Sequence, residues 1–284
     1  MRVLILGAGG MLGSAVFRVL SSDPTHQVIG SVRAPSAPDL GGNVSTQIIT
    51  GVDAEQPDSL IGCFGSARPE VVVNCIGLVK QLAGADDPLR AMPINAQLPH
   101  RLAGLCKATG ARLVHISSDC VFSGARGGYR EQDMPDASDL YGRSKLLGEV
   151  VGENAVTLRT SIIGHELGTG HHGLLGWFLS QTGAVRGYRR AIFSGLPTVE
   201  LACVIRDRVL PRPDLRGLYH VASDPISKYD LLVLIADAYG RTNAIAAVEE
   251  PVIDRSLNGE RFSAETGYRA PPWPELVRRM RDFG

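Results

Sequence analysis

A tyrosine and a lysine stand four residues apart in the segment YGRSK, residues 141–145. Only four of the 29 basic residues are lysines, so chance alone would place about 0.1 Tyr-xxx-Lys pairs in the chain. Positions i and i+4 share one face of a helix, which predicts that Tyr141 and Lys145 lie at one site. Because a nearby ammonium lowers the pKa of a phenol, we expect this pair to transfer protons.

Ser118 is the third candidate, since it follows the predicted strand RLVHIS, residues 112–117. Open α/β sheets bind their ligands at the carboxyl ends of the strands. We expect Tyr141 to donate a proton to a substrate carbonyl, Ser118 to hydrogen-bond the same oxygen, and Lys145 to tune the tyrosine. The alternative for YxxxK alone is an exposed tyrosine beside a solvated lysine.

Glycines cluster in GAGGMLG, residues 7–13, between the first predicted strand and the first predicted helix. A tight turn, a close approach to a diphosphate and free N–H groups at a helix start all require small residues there. The segment predicts a dinucleotide site; the alternative is a strand-to-helix turn without a ligand. The expected contacts are Gly7, Gly10, Met11, Leu12 and Gly13.

The end of the second predicted strand, QVIGSVR, bears on the choice of cofactor. NAD-binding versions of this arrangement place a carboxylate there, whereas this chain has Arg33. A guanidinium favours a 2′-phosphate through its charge and paired N–H donors. NADP(H) is therefore favoured over NAD(H), and a solvated surface arginine is the alternative.

The elements that must position these residues are short aliphatic runs alternating with amphipathic segments. This rhythm is typical of an α/β fold with a doubly wound, Rossmann-type parallel sheet. We predict an NADP(H)-binding domain over residues 1–159 and a smaller substrate-binding lid over residues 160–284, with residues 199–223 as candidates for a return to the main sheet. The predicted strands are 2–6, 27–32, 45–50, 70–76, 112–117, 155–159 and 217–223, and helices are predicted over 199–210 and 227–240.

Composition excludes several classes of function. The net charge is zero and no basic run occurs, which argues against binding to nucleic acid or to an anionic membrane surface. Five cysteines without a CxxC pair indicate neither disulfides nor a zinc site, and the histidines and glutamate at 165, 166, 171 and 172 match no standard metal spacing. The first apolar run is too short for a signal peptide, so we expect a cytoplasmic protein; amphipathic helices such as LVRRM, 276–280, could pair in a homodimer.

On these motifs the chain resembles the extended short-chain dehydrogenase/reductase superfamily, whose GxxGxxG and YxxxK patterns are matched by GAGGMLG and YGRSK. Within it, LVHISSDCVFSG, YGRSKLLGE, LRTS and DRSLNGERF are most similar to dTDP-4-dehydrorhamnose reductases and related nucleotide-sugar 4-ketoreductases. The resemblance implies that Asp53 lies near the adenine and that Cys75, Ile76 and Gly77 line the cofactor. Tyr141 and Lys145 are also expected to contact the cofactor, with Lys145 holding the ribose next to the nicotinamide. The resemblance also implies a nucleotide-sugar substrate, with Lys80, Ser118, Cys120, Ile162, Arg255 and Arg261 as its candidate contacts.

Two positions depart from the reductase pattern. Cys120 stands where those enzymes usually have tyrosine, and Ile162 where they usually have tryptophan; both positions are expected near the sugar, so the resemblance does not fix dTDP-4-dehydrorhamnose as the substrate. Cys120 also replaces the glutamate of the similar 4,6-dehydratases, which argues against dehydration. We therefore expect NADPH-dependent reduction of the 4-keto group of a nucleotide-linked 4-keto-6-deoxy sugar in deoxysugar biosynthesis. The alternatives are a nucleotide-sugar 4-epimerase and a non-catalytic NADP(H)-sensing regulatory protein.

Overall fold

A seven-stranded, entirely parallel sheet forms the centre of the protein. The computed structural model describes residues 1–36, 38–40, 46–80, 84–168 and 172–284. The strand order is β11-β6-β5-β4-β1-β2-β3, which confirms the predicted Rossmann-type α/β class. The strands are β1 (Arg2–Leu6), β2 (Gln27–Ser31), β3 (Gln47–Ile49), β4 (Val71–Asn74), β5 (Arg112–Ser118), β6 (Ala155–Thr160) and β11 (Gly217–His220).

Helices cover both faces of this sheet, because its strands are apolar on both sides. On one face α1 (Met11–Ser21) packs against α7 (Thr198–Val204), and on the other lie α2 (Pro57–Ala67) and α4 (Leu98–Thr109). A short helix, α3 (Pro88–Ala91), leads through a π-helical turn, Met92–Gln97, into α4. A second π-helical turn, Ile205–Val209, continues α7, and α5 (Leu140–Leu147) lies beside β5.

Beyond β6 the strands are only two to four residues long. They form two pairs, β10–β7 and β13–β8, and one three-stranded sheet in the order β12-β9-β14. The strands are β7 (Ile162–Ile163), β8 (Val185–Tyr188), β9 (Ala191–Phe193), β10 (Leu196–Pro197), β12 (Ile226–Ser227), β13 (Ile245–Val248) and β14 (Ile253–Asp254). The remaining helices are α6 (Leu174–Ser180), α8 (Lys228–Ala238), α9 (Glu260–Thr266) and α10 (Trp273–Phe283).

The strand β11, which follows several of the short strands in the chain, lies at one edge of the main sheet. It pairs with β6 in parallel, with Tyr219 opposite Leu158. A buried ion pair joins the carboxyl end of β6 to the segment after α5, because the Arg159 guanidinium contacts the Glu149 carboxylate at 2.6 Å. None of the described helices is both long enough and apolar enough to span a bilayer.

Candidate active site

Two glycines of the loop between β1 and α1, Gly7 and Gly13, are packed so closely that side chains would not fit. Gly7 has a φ of 79°, a backbone conformation that suits glycine. A Cβ on Gly13 would lie 2.1 Å from the Gly7 carbonyl oxygen, and one on Gly7 would lie 2.9 Å from Ile76 Cγ1. The first N–H groups of α1, at Met11, Leu12 and Gly13, have no intrahelical partner. The loop therefore fits a diphosphate held by backbone groups, as in dinucleotide sites.

The predicted adenosine end of the cleft lies beyond β2. Arg33 is exposed directly after this strand and forms no ion pair with any described residue. Asp53 is partly buried after β3, where its carboxylate accepts a hydrogen bond from the Glu55 N–H at 2.9 Å. Arg33 thus keeps a free guanidinium at the strand end where a 2′-phosphate would lie.

The loop after β4 leads from the glycine loop towards Lys145. Burial raises the pKa of the Cys75 thiol to about 12, so this residue is neutral and unreactive. Ile76 donates its N–H to the side chain of Asn74, and Gly77 is exposed. A Cβ on Gly77 would stand 4.0 Å from Lys145 Nζ, so the predicted cofactor-lining residues reach the predicted catalytic helix.

Ser118, Tyr141 and Lys145 lie together at the carboxyl end of β5. Asp139 begins α5 by accepting the Gly142 N–H at 2.7 Å, and Tyr141 and Lys145 follow one helical turn apart. The Lys145 ammonium is 5% exposed and donates to the Ile116 carbonyl at 2.8 Å. This bond fixes α5 against β5 two residues before Ser118.

The Ser118 hydroxyl is the centre of a small hydrogen-bond network. Its oxygen accepts the Cys120 N–H at 3.0 Å and donates to the Asp119 carboxylate at 3.2 Å. The Tyr141 phenol lies near enough for Ser118 to lower its pKa, against the larger effect of burial. A polarised carbonyl oxygen could therefore be reached by serine and tyrosine hydroxyls that already adjoin each other.

The expectation that Lys145 lowers the pKa of Tyr141 is not met. Burial raises the pKa of the phenol above its ordinary value, and nearby Cys120 and acidic groups add to the effect while the hydrogen bond with Ser118 opposes it. Burial is the largest cause, and the Lys145 ammonium, which donates to the Ile116 carbonyl, is not among the groups that lower this pKa. Tyr141 is therefore neutral at neutral pH and carries the proton that it would donate.

Burial also lowers the pKa of Lys145 to about 8, and the nearby Glu149 carboxylate opposes this change. Desolvation disfavours the charged ammonium, while an adjacent anion favours it. Lys145 is thus charged at neutral pH but loses its charge within the mildly alkaline range.

Asn95 is a buried polar residue of this site that the sequence interpretation missed. It lies in the π-helical turn, accepts the Leu78 N–H at 2.9 Å, and donates to the Leu78 carbonyl at 3.1 Å and to Ser144 at 3.2 Å. It therefore ties the cofactor-lining loop to α5. The only sequence signal was Pro93 within a helical pattern, which favours an irregular turn.

Lys80 forms an ion pair within the protein. Its ammonium donates to the Asp139 carboxylate at 2.8 Å, so this lysine joins the loop after β4 to the start of α5. Half of its side chain is still exposed, and the pair lies at the surface.

The other predicted substrate contacts divide into two groups. Cys120 adjoins Ser118, and burial raises the pKa of its thiol to about 12. Arg255 lies nearby, since its Nε donates to the Phe122 carbonyl at 2.8 Å. Ile162 pairs with Leu196 in the small sheet β10–β7, whereas Arg261 stacks over Tyr219, 4.7 Å from the ring centre, on the edge strand β11.

The histidine-rich segment forms no metal centre in the part of the chain that the structure describes. His165 hydrogen-bonds the Tyr239 hydroxyl at 2.9 Å, and Glu166 accepts the Gly173 N–H. His171 lies outside the described residues. No described group of three or more histidine, cysteine or carboxylate side chains could hold a metal ion.

Comparisons with known proteins agree with this geometry. The model of a family described as the RmlD substrate binding domain matches residues 1–281. The chain is 28% identical over 307 residues to methionine adenosyltransferase 2 subunit beta of Bos taurus, with 97% of this chain and 88% of that protein covered. A solved structure of a hypothetical dTDP-4-dehydrorhamnose reductase from Sulfolobus tokodaii is 25% identical and superposes with a TM-score of 0.78, covering 96% and 98% of the two chains.

A second solved structure, dTDP-4-dehydrorhamnose reductase from Bacillus anthracis in complex with NADP, superposes with a TM-score of 0.81. It is 21% identical, and the comparison covers 99% of both chains. At this level of identity the likeness shows the shared fold.

Proposed function

Since the chain belongs to the RmlD substrate-binding-domain family, we propose that it reduces the 4-keto group of a nucleotide-linked 4-keto-6-deoxy sugar with NADPH. Bound NADPH supplies the hydride for the carbonyl carbon. Tyr141 donates the proton to the carbonyl oxygen, Ser118 hydrogen-bonds that oxygen, and Lys145 binds the ribose hydroxyls. Arg33 selects NADPH through the 2′-phosphate.

One observation carries this proposal: Ser118, Tyr141 and Lys145 meet at the same sheet edge as the close-packed glycine loop. Cofactor recognition and proton donation are therefore available within one cleft. The same type of fold holds NADP in the Bacillus anthracis structure, which supports a nucleotide cofactor for this chain.

A nucleotide-sugar 4-epimerase would use the same tyrosine and lysine, so the experiment must separate it from a reductase.

A second candidate is a regulatory subunit that binds the cofactor without chemistry. It is favoured by the similarity to a methionine adenosyltransferase subunit, which extends over 97% of this chain. Against it, Ser118, Tyr141 and Lys145 lie together at the carboxyl end of β5, an arrangement that proton transfer requires and cofactor binding alone does not.

The test is to incubate the protein with NADPH and a panel of nucleotide-linked 4-keto-6-deoxy sugars while following the absorbance of the reduced nicotinamide. The matching nucleotide-linked 4-hydroxy sugars are included as epimerase substrates. Stoichiometric NADPH oxidation supports the reductase. Product formed without net oxidation supports the epimerase, and NADPH binding without turnover of any sugar supports the regulatory protein.

A further inference from the structure

A row of buried polar residues crosses three neighbouring strands, one residue before the catalytic end of the sheet. Ser117 on β5 stands opposite Arg159 on β6, and Arg159 stands opposite His220 on β11. All three residues are buried. The proposed reaction uses none of them, although burying polar groups is costly unless each has a partner.

Glu149, in the segment after α5, is the partner of this row. Its carboxylate accepts hydrogen bonds from the Ser117 hydroxyl at 2.7 Å and from two guanidinium nitrogens of Arg159 at 2.6 and 2.7 Å. A two-pronged contact of this kind is the strong geometry for a guanidinium and a carboxylate. The Glu149 side chain is only 8% exposed, so the end of α5 is fixed on β5 and β6 by a buried ion pair.

His220 occupies the far end of the row without adding a charge. Its Nε2 lies 3.3 Å from an Arg159 guanidinium nitrogen, and its Nδ1 lies 3.0 Å from the Tyr129 carbonyl oxygen. Because a guanidinium can only donate and a carbonyl can only accept, this histidine is neutral and carries its proton on Nδ1. Burial and the nearby Arg159 lower its pKa to about 4, which agrees with this state. Arg159 is therefore the only charged member of the row.

Lys145 lies one helical turn before Glu149. The helix α5 ends at Leu147, and the Glu149 N–H continues its last turn by donating to the Leu146 carbonyl at 3.1 Å. Residues four apart are neighbours on such a surface. The lysine and the glutamate also have consecutive anchors on β5, since the ammonium donates to the Ile116 carbonyl and the carboxylate accepts from Ser117. The Glu149 carboxylate thus adjoins two buried cations.

Other titratable or charged side chains lie on α5 or on the elements around it. They are Arg90 on α3, His100 on α4, His115 on β5, Asp119 and Cys120 on the turn after β5, and Tyr141 on α5 itself. Lys80 and Asp139 are paired with each other at the start of α5. His115 is neutral, because burial and, next, the Lys145 ammonium lower its pKa. Within the part of the chain that the structure describes, Glu149 is the charged group that raises the pKa of Lys145, against the larger effect of burial.

Building on the ribose-binding role of Lys145 in the proposed function, we propose that Glu149 is a positioning residue that fixes the place and the charge of this lysine. The carboxylate holds the end of α5 on the sheet through Ser117 and Arg159. Its charge keeps the neighbouring ammonium protonated in a buried place, because a nearby anion favours the charged form of a lysine. Glu149 is itself buried below the catalytic ends of the strands, so it acts through Lys145 and not on the substrate.

The experiment follows the titration of Lys145 directly. This residue is one of only four lysines, so NMR of protein with isotope-labelled lysine ε-carbons resolves it, and Lys145→Met identifies its signal by difference. We expect a midpoint near pH 8 in the unchanged protein. Glu149→Gln keeps the shape of the side chain and removes the anion, so it should lower this midpoint by about one pH unit. NADPH affinity should then begin to fall at a correspondingly lower pH.

Three further variants separate charge from packing. Glu149→Asp keeps the charge but shortens the side chain, so the Lys145 midpoint should stay close to that of the unchanged protein even where the thermal midpoint falls. Glu153→Gln removes an exposed glutamate from the same segment and should change neither quantity. Since Glu149→Gln leaves Arg159 buried without its partner, the double variant Glu149→Gln/Arg159→Met removes both charges and should show the same lowered midpoint in a more stable protein.

The proposal is overturned if Lys145 titrates at the same pH in Glu149→Gln or in the double variant as in the unchanged protein. It is also overturned if Glu149→Asp or Glu153→Gln lowers the midpoint as much as Glu149→Gln does. Failure of the proposed function gives a different pattern. In that case the Lys145 midpoint still depends on Glu149, but NADPH affinity does not follow it and no 4-keto sugar oxidises NADPH.

Discussion

The two ends of the catalytic cleft are suited to holding anions by different means. The predicted cofactor side, residues 7–13, offers backbone N–H groups at a helix start, and Gly7 and Gly13 leave no room for side chains. The predicted substrate side, beside the sheet β12-β9-β14, offers a side chain instead, that of Arg255 directly after β14. Recognition by the backbone therefore depends on glycines, which have no side chains. Recognition by side chains depends on charged residues that distant segments of the chain bring to the site.

The largest effect should come from filling the cofactor side. Gly13→Ala places a methyl group 2.1 Å from the Gly7 carbonyl oxygen, and we expect the free energy of unfolding to fall by at least about 2 kcal/mol, with NADPH binding lost. Urea unfolding and NADPH fluorescence measure the two effects.

Gly62→Ala is the matched control, because a Cβ on this glycine of α2 meets nothing within 4 Å. It should stabilise the protein by about 0.5–1 kcal/mol through helix propensity. If Gly13→Ala keeps the free energy of unfolding and the NADPH affinity as well as Gly62→Ala does, the inference that Gly13 is closely packed at the cofactor site is contradicted.

Between the two sides, Tyr141→Phe should lower turnover about 1000-fold, the range for loss of a general acid. The ring and its packing are kept, so NADPH affinity should not change. Tyr188→Phe, on β8, is the control and should remain active. The experiment requires a sugar that the unchanged protein reduces. If Tyr141→Phe turns over that sugar at a near-normal rate, Tyr141 is not the general acid.

On the cofactor side, one side chain is expected to add to the backbone contacts. Arg33→Ala should weaken NADPH binding about tenfold to 100-fold, because it removes a charged hydrogen-bonding partner of the 2′-phosphate, and should leave NADH binding unchanged. Arg216→Ala, before β11, removes another exposed arginine and serves as the control. Equal losses for NADPH and NADH would contradict the 2′-phosphate role.

The smallest effect concerns pH. The pKa of Lys145 is about 8, so its ammonium is present below that pH and lost above it. NADPH affinity should be level at neutral pH and fall above about pH 8, by at most about tenfold per unit, and Lys145→Met should bind weakly without this dependence. Fluorescence titrations from pH 6.5 to 9.5 test this, and a level affinity in the unchanged protein would contradict the ribose-binding role.

Much of the cofactor side could be predicted from the sequence because its constraints are local. The strand β1, the glycines and the helix α1 are consecutive, and the predicted boundaries of β1 agree with the structure. The pairing of Tyr141 with Lys145 was also predictable, because it depends only on helical spacing.

The substrate side could not be predicted in the same way. Its strands β9, β12 and β14 are short and pair across 30 or more residues, so no local pattern marks them. The ion pair of Lys80 with Asp139 and the raised pKa of Tyr141 could not be predicted either. Both depend on contacts and burial that arise only when distant segments pack together.

The return of β11 to the main sheet has a consequence for expression and engineering. All six residues of β6 are buried, and β11 supplies the partner on its outer side. A fragment ending at residue 159 would leave β6 as an unpaired edge of the sheet, rich in aliphatic residues. Such edges pair readily with other chains, so we expect this fragment to aggregate, and a minimal soluble unit must extend through residue 220.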